Sequence, residues 1–315
     1  MTPDPTKQYI VAFSGGKDSV ATWLYLSRVL ELPRIVCTFA DTGHESDQTY
    51  GYLDSLVREH GLPLVKIEPI LADMGADLNP TACCERLGLP ATPQSLLESL
   101  TMERLAVLKR RFPGKQSRFC TTILKLRPML RWMRKNCDTA DTIRVTGERA
   151  AESAARAAKP EYEDDRLFGF PIWRPIHQWC WANVFAIHVR YGVPPNPLYM
   201  RGCSRVGCYP CIFANKRELA AMSRHDPEAF DRLGAMERRV AEATGKAYAT
   251  FFSNTKVPAR YRSQRDPVSG KMICTAGDVR RWATGEVEFR QEGLLPIDEW
   301  ADEPLACESE YGLCE

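Results

Sequence analysis

The stretch IVAFSGGKDSVATWLYL, residues 10 to 26, takes an apolar run straight into two glycines, a lysine, an aspartate and a serine, and then into a helical pattern. Such a run has to be buried, and a tight turn followed by a helix makes it the strand of a strand-to-helix unit. At that junction backbone N–H groups and the helix dipole converge where an anion can sit, and glycines let the backbone approach closely. Ser14, Gly15, Gly16, Lys17, Asp18 and Ser19 meet that need. The turn is not a Walker A loop, because the GxxxxGK[ST] spacing is absent and aspartate follows the lysine, and it is not GxGxxG either.

Four short apolar or β-branched runs read as strands: Tyr9 to Phe13, Ile35 to Phe39, Leu64 to Ile67 and Thr142 to Val145. The first three are followed by turn residues and helical patterns, a βαβ series that predicts an α/β fold with a doubly wound, mostly parallel sheet. The first helix is expected over Lys17 to Leu30, with Val20, Trp23, Leu24, Ser27 and Leu30 near one face and Pro33 beyond its end. A basic helix is expected after Pro128. GERAAESAARAAKPEYEDD reads as an Ala-rich helix running into an acidic loop, and residues 216 to 245 as a helical pair. The expected organisation is a nucleotide-binding core over 1–150, a substrate and Cys-rich segment over 151–215 packed on it, and a helical and irregular C-terminal extension over 216–315.

Hydrophobic residues make up 44% of the chain and charged ones 26%, ordinary globular usage. No apolar run approaches a membrane span, and MTPDPTKQYIV lacks the zones of a signal peptide, so a cytoplasmic protein without a membrane partner is expected. The net charge of +2 hides a polarised distribution. From Arg104 to Lys135 there are eleven Lys and Arg and no acid, whereas Pro296 to Glu315 carries seven acids and no base. The basic stretch suits a polyanion or, equally, a solvated helix face. Twelve cysteines in a chain of this kind point to metal, cluster or redox use rather than disulfides. Cys37 and Cys180, in apolar surroundings, read as core residues.

The six-residue turn resembles the SGGxDS signature of PP-loop ATP pyrophosphatases, which cleave ATP between the α and β phosphates and adenylate a substrate. That resemblance implies that Ser14 to Ser19 cradle pyrophosphate together with Mg²⁺, with Lys17 and Asp18 in the catalytic group. Further blocks follow in order: FADTGHESDQTYGYL, FCTTILKLRP, GERAAESAAR, PIHQWCWANVFAIHVRYGVPPNPLY and GCSRVGCYPC. Over roughly residues 8 to 215 they are similar to the phosphoadenosine phosphosulfate reductase family, which includes the ATP-using component of DNA phosphorothioation systems. The resemblance implies an adenine nucleotide alpha hydrolase-like core. It sets Asp41, Thr42 and Gly43 against the adenosine, and Lys125, Arg127, Gly147, Arg149 and Arg156 at phosphate or sulfate, with Glu152 and Ser153 orienting them. His44 reads as a base or as a turn histidine satisfied by its neighbours.

CSRVGCYPC places Cys203, Cys208 and Cys211 within nine residues, among glycines and a proline that allow a tight fold around a small object. A fourth ligand has to come from elsewhere, and the family resemblance assigns Cys120. Four cysteines spaced this way suit a [4Fe-4S] cluster or a structural Zn²⁺. The adjacent pair Cys83 and Cys84 precedes the LK block and has no assigned role. The tail LACESEYGLCE carries Cys307 and Cys314, either a nucleophile such as the family's reductases keep near the C-terminus or ordinary exposed thiols; the surrounding acids would raise a thiol pKa.

Three functions fit these residues. In the first, Mg·ATP adenylates an acceptor, a nucleic acid or a small molecule, for sulfur transfer, with a cysteine desulfurase as donor. In the second, a phosphosulfate is reduced by a tail cysteine with a thioredoxin-like partner. In the third, the chain is a non-enzymatic Fe-S or Zn nucleic-acid-binding module. The intact turn favours ATP, because a phosphosulfate lacks the β and γ phosphates that such a turn is built to hold.

Overall fold

The computed structural model describes residues 3–77 and 79–285. They fall into two compact units. Among the described residues, one holds the chain up to Leu105 together with Arg118–Cys211; the other holds Ala106–Ser117 and residues 212–285. Residues 151–211 thus belong with the nucleotide-binding core, and a short piece of the basic stretch belongs with the C-terminal region.

The first unit is built on six strands: β1 (Gln8–Ala12), β2 (Ile35–Ala40), β3 (Leu64–Ile67), β4 (Thr142–Val145), β5 (Tyr162–Asp165) and β6 (Phe170–Trp173). Their order is β3-β2-β1-β4-β6-β5, and all pairs are parallel except β5 against β6. This is the expected doubly wound, mostly parallel sheet. Val11 lies between Cys37 and Val145 in register, and all three are fully buried. Alternation along β1 separates two cores. Tyr9, Val11 and Phe13 face one side with α1 (Lys17–Leu24), α2 (Asp47–His60) and the helix Trp181–Arg190, while Ile10 and Ala12 face Leu126, Met129 and Met133 on the other. From β1 the chain winds first to β2 and β3 and later to β4 on the opposite side. The gap between the ends of β1 and β4 is therefore the topological switch point, where open α/β sheets bind ligands.

Several expectations change in detail. The first helix is α-helical only to Leu24; a wider π turn follows over Tyr25–Val29, closed by the Leu30 N–H on the Tyr25 carbonyl at 3.0 Å. It is also buried all round rather than on one face, Thr22 included, because sheet and helix Trp181–Arg190 enclose it. The predicted Ala-rich helix reduces to short turns at Ala150–Glu152 and Ala154–Ala157, and the predicted acidic loop is the edge strand β5. Its acids are tolerated because Arg174 and Arg144, both buried, reach Glu163 at 2.7 Å and Asp165 at 2.5 Å. Cys37 is a core residue as expected, but Cys180 is exposed: it precedes the helix Trp181–Arg190, and its thiol lies 2.9 Å from Asn183 Oδ1. No helix among the described residues is long and apolar enough to cross a membrane.

The second unit contains the expected helical pair, Lys216–His225 and Glu228–Thr244, and a further helix, Ala276–Thr284, which the pattern did not announce. Its signal was a capping box, Thr275 with Asp278. Between them lies a two-stranded hairpin, Gln264–Arg265 with Met272–Ile273. Buried Glu237 ties these pieces together, accepting the Phe251 N–H at 2.8 Å and the Ala276 N–H at 3.0 Å.

Desolvation is the main reason that Glu237 is raised from its usual 4.5 to about 7, with the two N–H bonds opposing it. The folded chain keeps this proton where the unfolded chain has released it. The contribution of Glu237 is therefore intact below about pH 4.5 and is lost as pH rises toward 7. Glu237→Gln, neutral throughout, should flatten this slope. In urea titrations at about pH 5 and about pH 8, wild type is expected to lose on the order of 3 kcal/mol more than the variant, and parallel losses would contradict the assignment.

Candidate nucleotide site

The turn after β1 is shaped by what surrounds it. Gly15 has φ +78°, and a Cβ there would lie 3.3 Å from Leu53 Cδ2 and 3.4 Å from Thr49 Cγ2, so α2 itself requires the glycine. The Gly16 N–H donates to Ser14 Oγ at 3.2 Å, while Ser19 Oγ donates to the Gly16 carbonyl at 2.9 Å. The resulting loop opens onto the N-terminus of α1. Three residues from far along the chain brace it. Asn196 Nδ2 donates to the Gly15 carbonyl at 3.4 Å, His188 Nε2 meets the Lys17 carbonyl at 2.9 Å, and the Lys17 N–H donates to the Tyr199 hydroxyl at 3.0 Å. Lys17 Nζ also stands 5.3 Å from the Tyr199 ring centroid.

The centre of the arrangement is Asp18, which is fully buried. Its two carboxylate oxygens meet Lys17 Nζ at 2.7 Å and Arg149 Nε at 2.6 Å. Arg149 comes from the loop after β4, across the switch point. Its N–H donates to Glu152 Oε2 at 2.8 Å, and Glu152 also pairs with Arg156, whose own N–H is capped by Ser153 Oγ at 3.2 Å. Gly147 lets this loop close on α1: a Cβ there would lie 2.9 Å from Thr22 Oγ1 and 3.0 Å from the Asp18 backbone. Lys17, Asp18, Gly147, Arg149, Glu152, Ser153 and Arg156, singled out from the sequence, thus form one connected group.

The loop after β2 forms the other wall. Asp41 Oδ1 accepts from the Gly43 N–H at 3.1 Å and the Tyr50 hydroxyl at 2.6 Å. Thr42 donates to Glu45 Oε1 at 2.7 Å. Glu45 pairs by backbone with Cys208, and the Tyr209 N–H donates to the His44 carbonyl at 2.7 Å, so the cysteine loop is clipped to the end of β2. His44 completes the clip. Its Nε2 lies 3.1 Å from the Pro210 carbonyl, which can only accept, and desolvation, aided by Lys125, lowers the ring to about 4. Its bond to that carbonyl is structural, joining the loop after β2 to the cysteine loop. Desolvation raises the Glu45 carboxyl, with Lys125 opposing it. Lys125, itself buried, lines a cavity of about 20 Å³ with Ser14, Glu45 and Gly207, room for about one water.

Not every candidate joins this group. The Arg127 guanidinium is held by the Asp73 carbonyl at 3.0 Å and by the Met74 carbonyl, and it packs on Gly75; it clamps a neighbouring turn rather than facing the phosphate loop. Cys120, Cys203, Cys208 and Cys211 lie in the same unit, but among the described residues no three or more Cys, His, Asp or Glu side chains stand as a metal-ion set. Cys203 is buried in an apolar cluster with Leu198 and Val206, while Cys208 Sγ faces Glu45 Oε1 at 3.8 Å. Cys83 and Cys84 are buried in the helix Pro80–Leu87. Cys307 and Cys314 lie outside the described residues. Tyr199, Asn196 and His188 were not singled out in the sequence, although PPNPLY contains two of them.

The close approach at Gly147 is open to test. Gly147→Ala should cost on the order of 1–3 kcal/mol in urea unfolding, since the Asp18 backbone cannot yield as a flexible side chain would. Gly51→Ala, in the middle of α2 with nothing within 4 Å of the added Cβ, should instead stabilise by about 0.5–1 kcal/mol. Equal effects of the two substitutions would contradict the packing described.

Comparison with known proteins agrees with this geometry. The model of the phosphoadenosine phosphosulfate reductase domain matches residues 8–80 and 97–214, more than half of the 315-residue chain. An uncharacterised 37.8 kDa protein of Escherichia phage 186 is 35% identical, covering 97% of this chain and 96% of its own. The adenosine 5′-phosphosulfate reductase of Rhizobium tropici is 28% identical over 56% of this chain and 81% of its own. The crystal structure of phosphoadenylyl-sulfate reductase from Candida auris aligns with a TM-score of 0.44 and 18% identity, covering 65% of this chain and 82% of that one. With the matched segments spanning the phosphate turn, the loops after β2 and β4 and the cysteine loop, the chain belongs to the phosphoadenosine phosphosulfate reductase family.

Proposed function

We propose that this protein binds Mg·ATP at Ser14–Ser19 and adenylates an acceptor for sulfur transfer. The observation that carries the reading is the complete phosphate turn at the β1/β4 switch point, with Lys17 and Arg149 both drawn to it by Asp18. An oxygen of the acceptor attacks the α-phosphorus, the bond from that phosphorus to the bridging oxygen breaks, and pyrophosphate leaves. A sulfur nucleophile then displaces AMP from the acceptor carbon. The turn N–H groups and Lys17 Nζ stabilise charge growing on the leaving pyrophosphate, the dominant contribution in such transfers. Mg²⁺ enters on the nucleotide, because Asp18 is already met by two cations. Asp41 and Thr42, held by Tyr50 and Glu45, would contact the adenosine. The donor of sulfur would be a persulfide-bearing partner such as a cysteine desulfurase. Its terminal sulfur bonds to the acceptor carbon as AMP leaves, and a dithiol reductant then cleaves the resulting disulfide, freeing the thiolated acceptor and the donor thiol and itself leaving as a disulfide.

A second reading is favoured by the relatives named adenosine 5′-phosphosulfate reductase. In it a thiolate of Cys307 or Cys314 attacks the sulfur of a phosphosulfate, the S–O bond breaks, the adenosine phosphate leaves, and a thioredoxin-like dithiol reduces the resulting thiosulfonate to sulfite. Calorimetry separates the two. Mg·ATP is expected to bind at least tenfold more tightly than adenylyl sulfate or phosphoadenylyl sulfate, and Lys17→Ala should weaken it by on the order of 2 kcal/mol and abolish pyrophosphate release. A preference for either phosphosulfate, or pyrophosphate release undiminished in Lys17→Ala, would overturn the ATP reading.

The spacing of Cys203, Cys208 and Cys211, with Cys120 in the same unit, supports a [4Fe-4S] cluster, with Zn²⁺ as the alternative. No step above runs through it. Anaerobically purified protein is expected to carry iron and acid-labile sulfide that Cys208→Ala loses. Zinc without sulfide would select the structural site, and a full iron load in the variant would remove this ligand set.

A further inference from the structure

Within the second unit, residues 106–117 carry Lys109, Arg110, Arg111 and Lys115 and no acid. Within this unit lies an open cavity of about 510 Å³, the size of a ligand site. Its lining brings together the Arg110–Phe112 corner, the segment Gly245–Thr250 and the hairpin residues Asp266 and Val268. Three exposed cations, Arg110, Arg111 and Lys246, face it. Arg110 donates to the Thr244 carbonyl at 3.1 Å and Lys246 to the Arg110 carbonyl, so both meet neutral oxygens in these bonds. The one acid of the lining, Asp266, is buried and turned onto its own hairpin, accepting from Ser269 and from the Val268 N–H at 3.0 Å. Its carboxylate also holds the Tyr248 hydroxyl at 3.3 Å, which fixes a half-exposed ring in the cavity wall beside the small residues Ala247 and Ala249.

We infer that this cavity is a binding site for single-stranded nucleic acid. Guanidinium and ammonium groups along the wall suit a phosphate backbone, and a fixed aromatic ring flanked by small side chains suits the face of a base. An acidic protein segment would use the cations but has no need of the ring. Binding at this cavity stands by itself; only the further step, that the bound strand is the sulfur acceptor, rests on the function proposed above.

The test uses the full chain, fluorescein-labelled 20-nucleotide DNA and RNA single strands, and anisotropy over a range of salt. Strand binding is expected, and a preference for DNA or RNA names the acceptor type. In Arg110→Gln/Lys246→Gln, which retains donors for the two carbonyls, affinity should fall about tenfold and the slope of log K against log salt should drop by about 1.4. Tyr248→Ala should weaken binding by at least about fivefold. Unchanged Mg·ATP affinity in each variant shows that the first unit is intact. No binding of either strand, an unaltered affinity and slope in the double variant, or displacement by polyglutamate as effective as by unlabelled strand would overturn the inference. Loss of strand binding with ATP-dependent pyrophosphate release intact defeats this inference alone, and the converse defeats the proposed function alone.

Discussion

A carboxylate with no access to water, Asp18, is held between Lys17 and Arg149, and the rest of the site is arranged around that contact. Burying a charge is costly unless it is paired, and removing one partner of a buried pair typically costs about 3–5 kcal/mol. Asp18 therefore fixes where Arg149 has to be, and Arg149 fixes the loop after β4. Through Glu152 that constraint passes to Arg156, so that a chain of alternating charge runs from the phosphate turn into the segment beyond β4. The same contact brings two cations to the mouth of the turn, where an anionic ligand would share them.

Steric constraints make the electrostatic ones effective. Gly15 and Gly147 are required by opposite neighbours, α2 and α1, and both allow backbone to approach where a side chain would intrude. The turn is thus held on both sides, and its remaining contacts, to Asn196, His188 and Tyr199, come from the segment that leads into the cysteine loop. The cysteine loop is in turn clipped to the end of β2 by His44 and by the Glu45–Cys208 bridge. The phosphate turn and the cysteine loop are therefore connected through the sheet ends.

The second unit follows a different logic. It has its own aromatic core, with Phe251 stacked edge-on against Phe112 at 5.4 Å and Phe252 at 5.0 Å, and its own buried carboxylates, Glu237 and Asp278, that receive backbone N–H groups from separate elements. The basic run from Arg104 to Lys135 visible in the sequence is divided between the two units, and Lys109, Arg110, Arg111 and Lys115 stay with the second.

Contiguous features were legible in the sequence. β1, the phosphate turn and the start of α1 are adjacent in the chain, and apolar alternation, glycine and capping chemistry act over a few residues, so the strands and the turn could be read directly. Edge strand β5 was not legible, because YEDD becomes a strand only where Arg144 and Arg174 neutralise it. Arg127 carried the right chemistry but was drawn to the carbonyls of Asp73 and Met74. By itself the sequence determined the parallel α/β core and an anion-binding turn, since both follow from local pattern and backbone geometry. Only the tertiary structure decided which distant side chains complete the turn, because Arg149 meets Asp18 across 131 residues and Tyr199 meets Lys17 across 182, and contacts that far apart are set by how the sheet is wound.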